Sequence, residues 1–137
     1  DTSQVDTQFE IQRGISVAQM LNFFVEDKGH WQATDRIRAM TRFQQHNILD
    51  FPPSPGRFDL VMCRNVLLYF DPQTRATAFD RLASGIAADG WLMLGAGETV
   101  VGQTERFKPA EFGSSLYAPI HEDTSLAAAP RQRAAGF

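Results

Sequence analysis

Cys63-Arg64-Asn65-Val66-Leu67-Leu68-Tyr69-Phe70-Asp71 is where this 137-residue sequence concentrates its chemical capacity. A forked guanidinium, an amide and a phenol suit the orienting of a charged substrate and the presenting of a ring face. The competing reading is structural: Asn65 turns the chain, Arg64 is solvated and Tyr69 packs. Asn47-Ile48 is a second candidate, because an Asn amide can read the edge of a base or ribose; alone it also reads as a turn. Gly95-Ala96-Gly97 resembles the start of a dinucleotide loop, but position 100 is Val100 and no helix signal follows. Glu98 beyond it is either a supporting acid or a solvated loop residue. The three histidines, at 30, 46 and 121, have no metal-ligand spacing, and Cys63 lies in an apolar run that favours packing over nucleophilic use. No nucleophile elbow or phosphate loop occurs.

The elements around these residues follow from periodicity. Val17, Met20, Leu21, Phe24 and Val25 form one helical stripe, with Ser16 as N-cap and Gly29 as the stop. Trp31–Thr34 reads as a short strand, and Ile37, Met40 and Phe43 follow among Arg36, Arg38 and Arg42. Arg42–His46 reads as another strand. Pro52, Pro53 and Pro55 then force a loop. Phe58–Cys63 is a strand apolar on both faces. Asp71-Pro72 starts a helix whose stripe is Phe79, Leu82, Ala83 and Ile86, with Gly90 after its end. Trp91–Leu94 is a second buried strand, so strand, helix and strand make a crossover unit of an α/β fold. A last strand over 114–118 returns after a loop at 97–110. The stretch 121–137 reads as a flexible tail.

Composition narrows the class. Apolar residues at 43% with 21% charged fit a globular chain rather than a disordered one. A net charge of −3 argues against duplex nucleic acid or a membrane surface as partner. No apolar run approaches the ~18 residues of a membrane span, and no signal peptide is apparent, so the expected location is cytoplasmic. The lone Cys63 forms no internal disulfide. The first residue is Asp1 rather than Met, so the chain is expected to be a piece of a longer one.

The run Phe58–Asp71 closely resembles the hallmark of the chemotaxis receptor methyltransferases (CheR). Further matches run in the family's order: 9–14, Phe43 with Asn47-Ile48-Leu49, Gly90–Gly95, Glu98-Thr99 and Arg106-Phe107. The resemblance implies a protein-glutamate O-methyltransferase using S-adenosylmethionine on a doubly wound, Rossmann-like class I fold. It implies Asn47 and Ile48 on the adenine side of the cofactor, Arg64 and Asn65 lining cofactor and active site, and Tyr69 near the reacting methyl. Arg64 and Tyr69 are thus the expected catalytic pair. Residues 16–46 match a small receptor-docking subdomain, joined by a segment at 1–15; 47–120 matches the C-terminal half of the methyltransferase domain. Lys28–Trp31 leaves no room for the loop that binds a receptor-tail peptide, so the implied substrate is the methylation helices of chemoreceptors, met without that peptide.

The departures are equally specific. The acidic glycine-containing cofactor loop, the ribose-binding acid and the N-terminal helical domain are not in the sequence, and Gly95-Ala96-Gly97-Glu98 stands where many members have Gly-His-Ser-Glu. The expectation is a partial sheet lacking its first strands, an incomplete cofactor site and a fragment inactive alone. A non-catalytic receptor- or partner-binding module is the alternative, an inert truncation a further one. Without those strands the edge of 58–63 is bare, so either 42–46 slides over to pair with it or a second copy pairs by strand exchange, the latter favoured.

Overall fold

In the computed structural model, which describes residues 14–53, 56–113 and 115–121, Ser16 caps the first helix as its position predicts. Its hydroxyl accepts from Gln19 N at 3.3 Å while Ser16 N donates to Gln19 Oε1 at 2.9 Å, a complete capping box. The helix, α1 (Val17–Phe23), ends earlier than its stripe suggests. Phe24 leaves it as the first residue of β1 (Phe24–Asp27), which pairs antiparallel with β2 (His30–Ala33). Lys28 and Gly29 both take positive φ, 52° and 81°, so Gly29 belongs to a two-residue hairpin turn instead of a helix stop. The cross-strand pairs Phe24–Ala33 and Val25–Gln32 outweigh a further helical turn that would bury nothing more: Met20 is buried, whereas Val17 and Leu21 are exposed. Met20 and Trp31 form a small core with Ile15 and Phe24 against it. The short α2 (Asp35–Ala39) follows.

The chain divides into two compact units, one running to Gln45 and the other from His46. Residues 42–46 form no strand. All five are exposed, and with one apolar side chain among them they have no face to bury, so the strand expected there does not form.

The second unit is built on β3 (Phe58–Cys63), α3 (Pro72–Gly85) and β4 (Ile86–Leu94), with β3 and β4 parallel as the crossover reading requires. Asp71 caps α3: its carboxylate accepts from Thr74 N at 3.0 Å and from the Thr74 hydroxyl at 2.6 Å, and both bonds hold its pKa below the ordinary value. Pro72 stands at the helix start. The helix stops at Gly85, and Ile86, assigned by periodicity to its stripe, begins β4 and is buried there. Gly90 therefore sits inside the strand, at an irregularity where the register passes from Phe58–Ile86 to Leu60–Trp91. The stretch read as a loop at 97–110 ends in a strand, β5 (Phe107–Pro109); β6 (Leu116–Pro119) pairs with both β5 and β4. The four-stranded sheet is mixed, in the order β3-β4-β6-β5.

Among the described residues, one face of this sheet is closed. Cys63, Leu92, Leu94 and Tyr117 pack with Ala78 and Phe79 of α3 and Phe107 of β5, and the Phe79 and Phe107 rings lie 6.2 Å apart. On the opposite face Phe58, Leu60 and Met62 are exposed along β3, whose single neighbour among the described residues is β4. Towards the described tail, β6 ends at Pro119; the tail beyond His121 lies outside the described residues, as do residues 1–13 of the connecting segment.

Gly90 sits in the β3–β4 seam with no room for a side chain. A Cβ there would meet the carbonyl oxygens of Phe58 and Asp59 at 2.9 Å. Gly90→Val is expected to destabilise the second unit by about 2–3 kcal/mol, as overpacking against backbone does, read as a lower midpoint in urea with an unchanged slope.

Candidate functional site

Beyond Cys63 and Leu94, the last registered pair of the parallel strands, both chains turn away. Two backbone N–H groups would be left without ladder partners there. One carboxylate takes both: Glu98 Oε2 accepts from Asn65 N at 2.7 Å and from Gly95 N at 2.8 Å, while Glu98 N donates to Gly95 O at 3.0 Å. Asn65 reaches this contact with φ 58°, the left-handed region that Asn enters more readily than most residues. Its side-chain oxygen lies against Gly95, where any Cβ would collide with both Asn65 Oδ1 and Glu98 Oε2. The alternatives left open for Glu98 resolve to a supporting acid.

The same carboxylate contributes to the state of Cys63. Burial first, and the Glu98 charge second, push the thiol from 9.0 up to about 11. A neutral buried thiol is a packing group, as its place in an apolar strand predicts. Among the described residues no three His, Cys, Asp or Glu side chains gather as a metal site.

The residues singled out in the sequence take distinct positions. Arg64 is exposed beyond the end of β3 and has no hydrogen-bond or ion-pair partner among the described residues. Tyr69 closes a 3₁₀ turn, Leu67–Tyr69, and is 79% exposed, so the reading of Tyr69 as core does not hold. Asn47 lies in another loop, where its Oδ1 accepts from Leu49 N at 3.0 Å; the turn reading is therefore realised, and the amide NH₂ keeps its donors. Ile48 is half-buried and lines, with Val61, Leu82, Pro52 and Phe58, an apolar cleft of about 220 Å³. The structure thus gathers Asn65, Gly95 and Glu98, and keeps the Asn47 turn as a separate feature.

Two arginines of α3, unremarked in the sequence, hold these loops. Arg81 Nε donates to Leu49 O at 2.9 Å and its guanidinium lies 4.2 Å from the Phe51 ring centre. Arg75 donates to Leu67 O, Phe70 O and Gln103 Oε1. Their spacing along α3 carried the only signal, and recognising it needs the position of both loops.

The sequence matches over residues 5–115 the family described as CheR methyltransferase, SAM binding domain. It is similar to a chemotaxis protein methyltransferase of Vibrio parahaemolyticus, 33% identical over 97 residues, covering 70% of this chain and 35% of that one. Chemotaxis protein methyltransferase Cher2 of Pseudomonas putida is 35% identical over 99 residues, 72% of this chain and 36% of its own. A chemotaxis protein methyltransferase of Borreliella burgdorferi is 35% identical over 96 residues, 67% and 33% respectively. The chain spans about a third of the length of these relatives.

Glu98 is separable by two substitutions. Glu98→Ala orphans the N–H groups of Asn65 and Gly95 and is expected to cost about 2–3 kcal/mol. Glu98→Gln keeps an acceptor and removes the charge, so the Cys63 pKa should fall from about 11 only part of the way to 9.0, burial being the larger cause. The sign for stability is fixed by the raised folded value. The contribution of a protonated Cys63 is complete below pH 9.0 and is lost as pH rises from there to about 11. Thiolate absorbance during alkaline titration of the native protein and of Glu98→Gln measures both effects.

Proposed function

Because the chain belongs to the CheR methyltransferase SAM-binding domain family, we propose that it supplies one side of an S-adenosylmethionine site and the residues that align a glutamate side chain for methylation. The observation that carries this reading is the exposed Arg64-Asn65 turn at the carboxyl end of β3, fastened by Glu98 to the end of β4. Ligands of open α/β sheets bind outside such strand ends.

The donor set fits the cofactor in part. Arg64 and the Asn47 and Asn65 amides have donors that match a carboxylate and the edge of a base; the acid at the strand ends, Glu98, already holds two N–H groups through Oε2. Arg64, Asn65, Asn47 and Ile48 would hold the group; Glu98 keeps its second oxygen, Oε1, buried and without a hydrogen-bond partner among the described residues. Bound S-adenosylmethionine supplies a methyl activated by its sulfonium. A glutamate carboxylate, pKa ~4.3, is ionised near pH 7 and needs no general base. The work left to the protein is alignment and exclusion of water. Arg64 can orient the carboxylate through its fork, and Tyr69 can offer its ring face to a cation, worth ~1–2 kcal/mol when desolvated. These two are the proposed catalytic residues.

The proposed substrate is the methylation helices of cytoplasmic chemoreceptor domains, bound without a tail peptide; the two-residue turn at Lys28-Gly29 supports this by leaving no loop there. In this reading the unit ending at Gln45 contributes receptor docking, the sheet is the later part of a doubly wound one, and the protein works in the cytoplasm. Its described helices are none of them long and apolar enough to cross a membrane. A non-catalytic partner-binding role is favoured by one observation, the engaged Asn47 oxygen, which takes up one acceptor position of that amide.

Two measurements test the proposal. Calorimetry should find S-adenosylmethionine bound weakly or not at all by this chain alone, and a micromolar dissociation constant would overturn the half-site reading. In a longer protein carrying this chain, Arg64→Ala and Tyr69→Ala should each lower methyl transfer roughly tenfold, the kinetic equivalent of about 1.4 kcal/mol, without loss of folding; unchanged turnover in both would favour the partner-binding role.

The uncovered edge of β3 also supports self-association by strand exchange, with the Pro52–Pro53 loop as hinge. Light scattering on the purified chain should give twice the chain mass. A monomeric mass across the micromolar range would overturn it.

A further inference from the structure

We infer that Arg75 is a positioning residue for Tyr69. The inference rests on the proposed role of Tyr69 in methyl transfer, and it concerns how that exposed ring is held.

Tyr69 has little of its own to fix it. It is 79% exposed, and its hydroxyl makes no hydrogen bond to another described residue. The backbone hold is two bonds of a single 3₁₀ turn, Tyr69 N to Val66 O at 3.3 Å and Phe70 N to Leu67 O at 3.1 Å. A turn of this length has poor hydrogen-bond geometry and does not persist alone. Arg75 supplies what it lacks. Nε donates to Leu67 O at 3.0 Å and Nη2 to Phe70 O at 2.7 Å, so the guanidinium grips carbonyls on both sides of Tyr69. Nη1 donates to Gln103 Oε1 at 2.8 Å, which ties the turn to the loop that begins with Glu98.

The placement follows from the helix. Side chains of an α-helix lean towards its N-terminus, and Arg75 is the fourth residue of α3, with Asp71 and Pro72 fixing where that helix begins. It therefore reaches back over the residues that precede the cap. All three acceptors are uncharged, so the arginine is not there to neutralise an acid. Its planar fork spans three acceptors in a fixed geometry that a lysine ammonium cannot match. Arg75 also lines, with Leu67, Leu68, Gly97, Glu98 and Thr99, a cleft of about 190 Å³ between the turn and the loop. Leu67, buried in the core, and Phe70, packed against it, keep the turn in place, so releasing Arg75 would loosen the backbone around Tyr69 while leaving the core under α3 intact.

The test uses the chain labelled with 3-fluorotyrosine, whose two tyrosines, Tyr69 and Tyr117, give two fluorine resonances assigned through Tyr69→Phe. Arg75→Met is expected to move the Tyr69 resonance and speed amide exchange at Tyr69 and Phe70 at least tenfold, with the Tyr117 resonance unmoved. Arg75→Lys should restore this in part. Arg81→Met, which releases the other loop, should leave Tyr69 unchanged. Should Arg75→Met fold poorly, Gln103→Ala removes one of the three contacts and should give a smaller shift of the same kind. A Tyr69 resonance that stays put, or that moves only together with Tyr117, overturns the inference. In a longer protein with methyl-transfer activity, Arg75→Met should lower kcat about tenfold with KM for S-adenosylmethionine unchanged; an unchanged kcat also overturns it. If the unmodified longer protein transfers no methyl group, the proposed function falls, and the Tyr69 resonance alone decides the role of Arg75.

Discussion

A single carboxylate oxygen joins the two parallel strands of the second unit where their own hydrogen bonds end. Parallel strands that diverge leave backbone donors behind, and such donors are costly unless met. Glu98 Oε2 meets both Asn65 N and Gly95 N. Much of the surrounding detail follows from that contact. Asn65 adopts a left-handed conformation to reach it, Gly95 can carry no Cβ beside it, and the Cys63 thiol below is held neutral partly by the same charge. Arg64, carried on the turn so fixed, remains exposed and unpaired among the described residues.

The helix α3 is the second constraint. Its apolar side closes one face of the sheet through Ala78 and Phe79, and its polar side works as a set of clamps. Arg75 holds the Tyr69 turn, Arg81 the loop after Asn47, and Asp80 pairs with Arg106 at 3.0 Å just before β5. The Asp80–Arg106 pair is about half exposed on both sides and adds little energy; its value lies in register. Hydrogen bonds from the part-buried arginines to carbonyls resist water better and define where two loops must lie. The opposite face of the sheet has no such cover along β3, where Phe58, Leu60 and Met62 stay exposed.

The sequence by itself determined what local chemistry and short-range pattern can encode. The Ser16 and Asp71-Pro72 helix starts, the apolar Phe58–Cys63 strand and the parallel crossover to Trp91–Leu94 are all local signals, and so is the family, carried by the run from Phe58 to Asp71. Tertiary structure decided the rest. Phe24 and Val25 have helical spacing, yet pairing with Ala33 and Gln32 draws them into a hairpin. Residues 42–46 form no strand, because with Phe43 as their one apolar side chain they have no face to bury. Ile86 fits the α3 stripe and becomes strand because β3 lies alongside it. The roles of Glu98, Arg75 and Arg81 depend on partners 33, 28 and 32 residues away. Periodicity reports what a segment can bury, whereas the fate of a polar side chain depends on which distant backbone groups the fold leaves unpaired beside it.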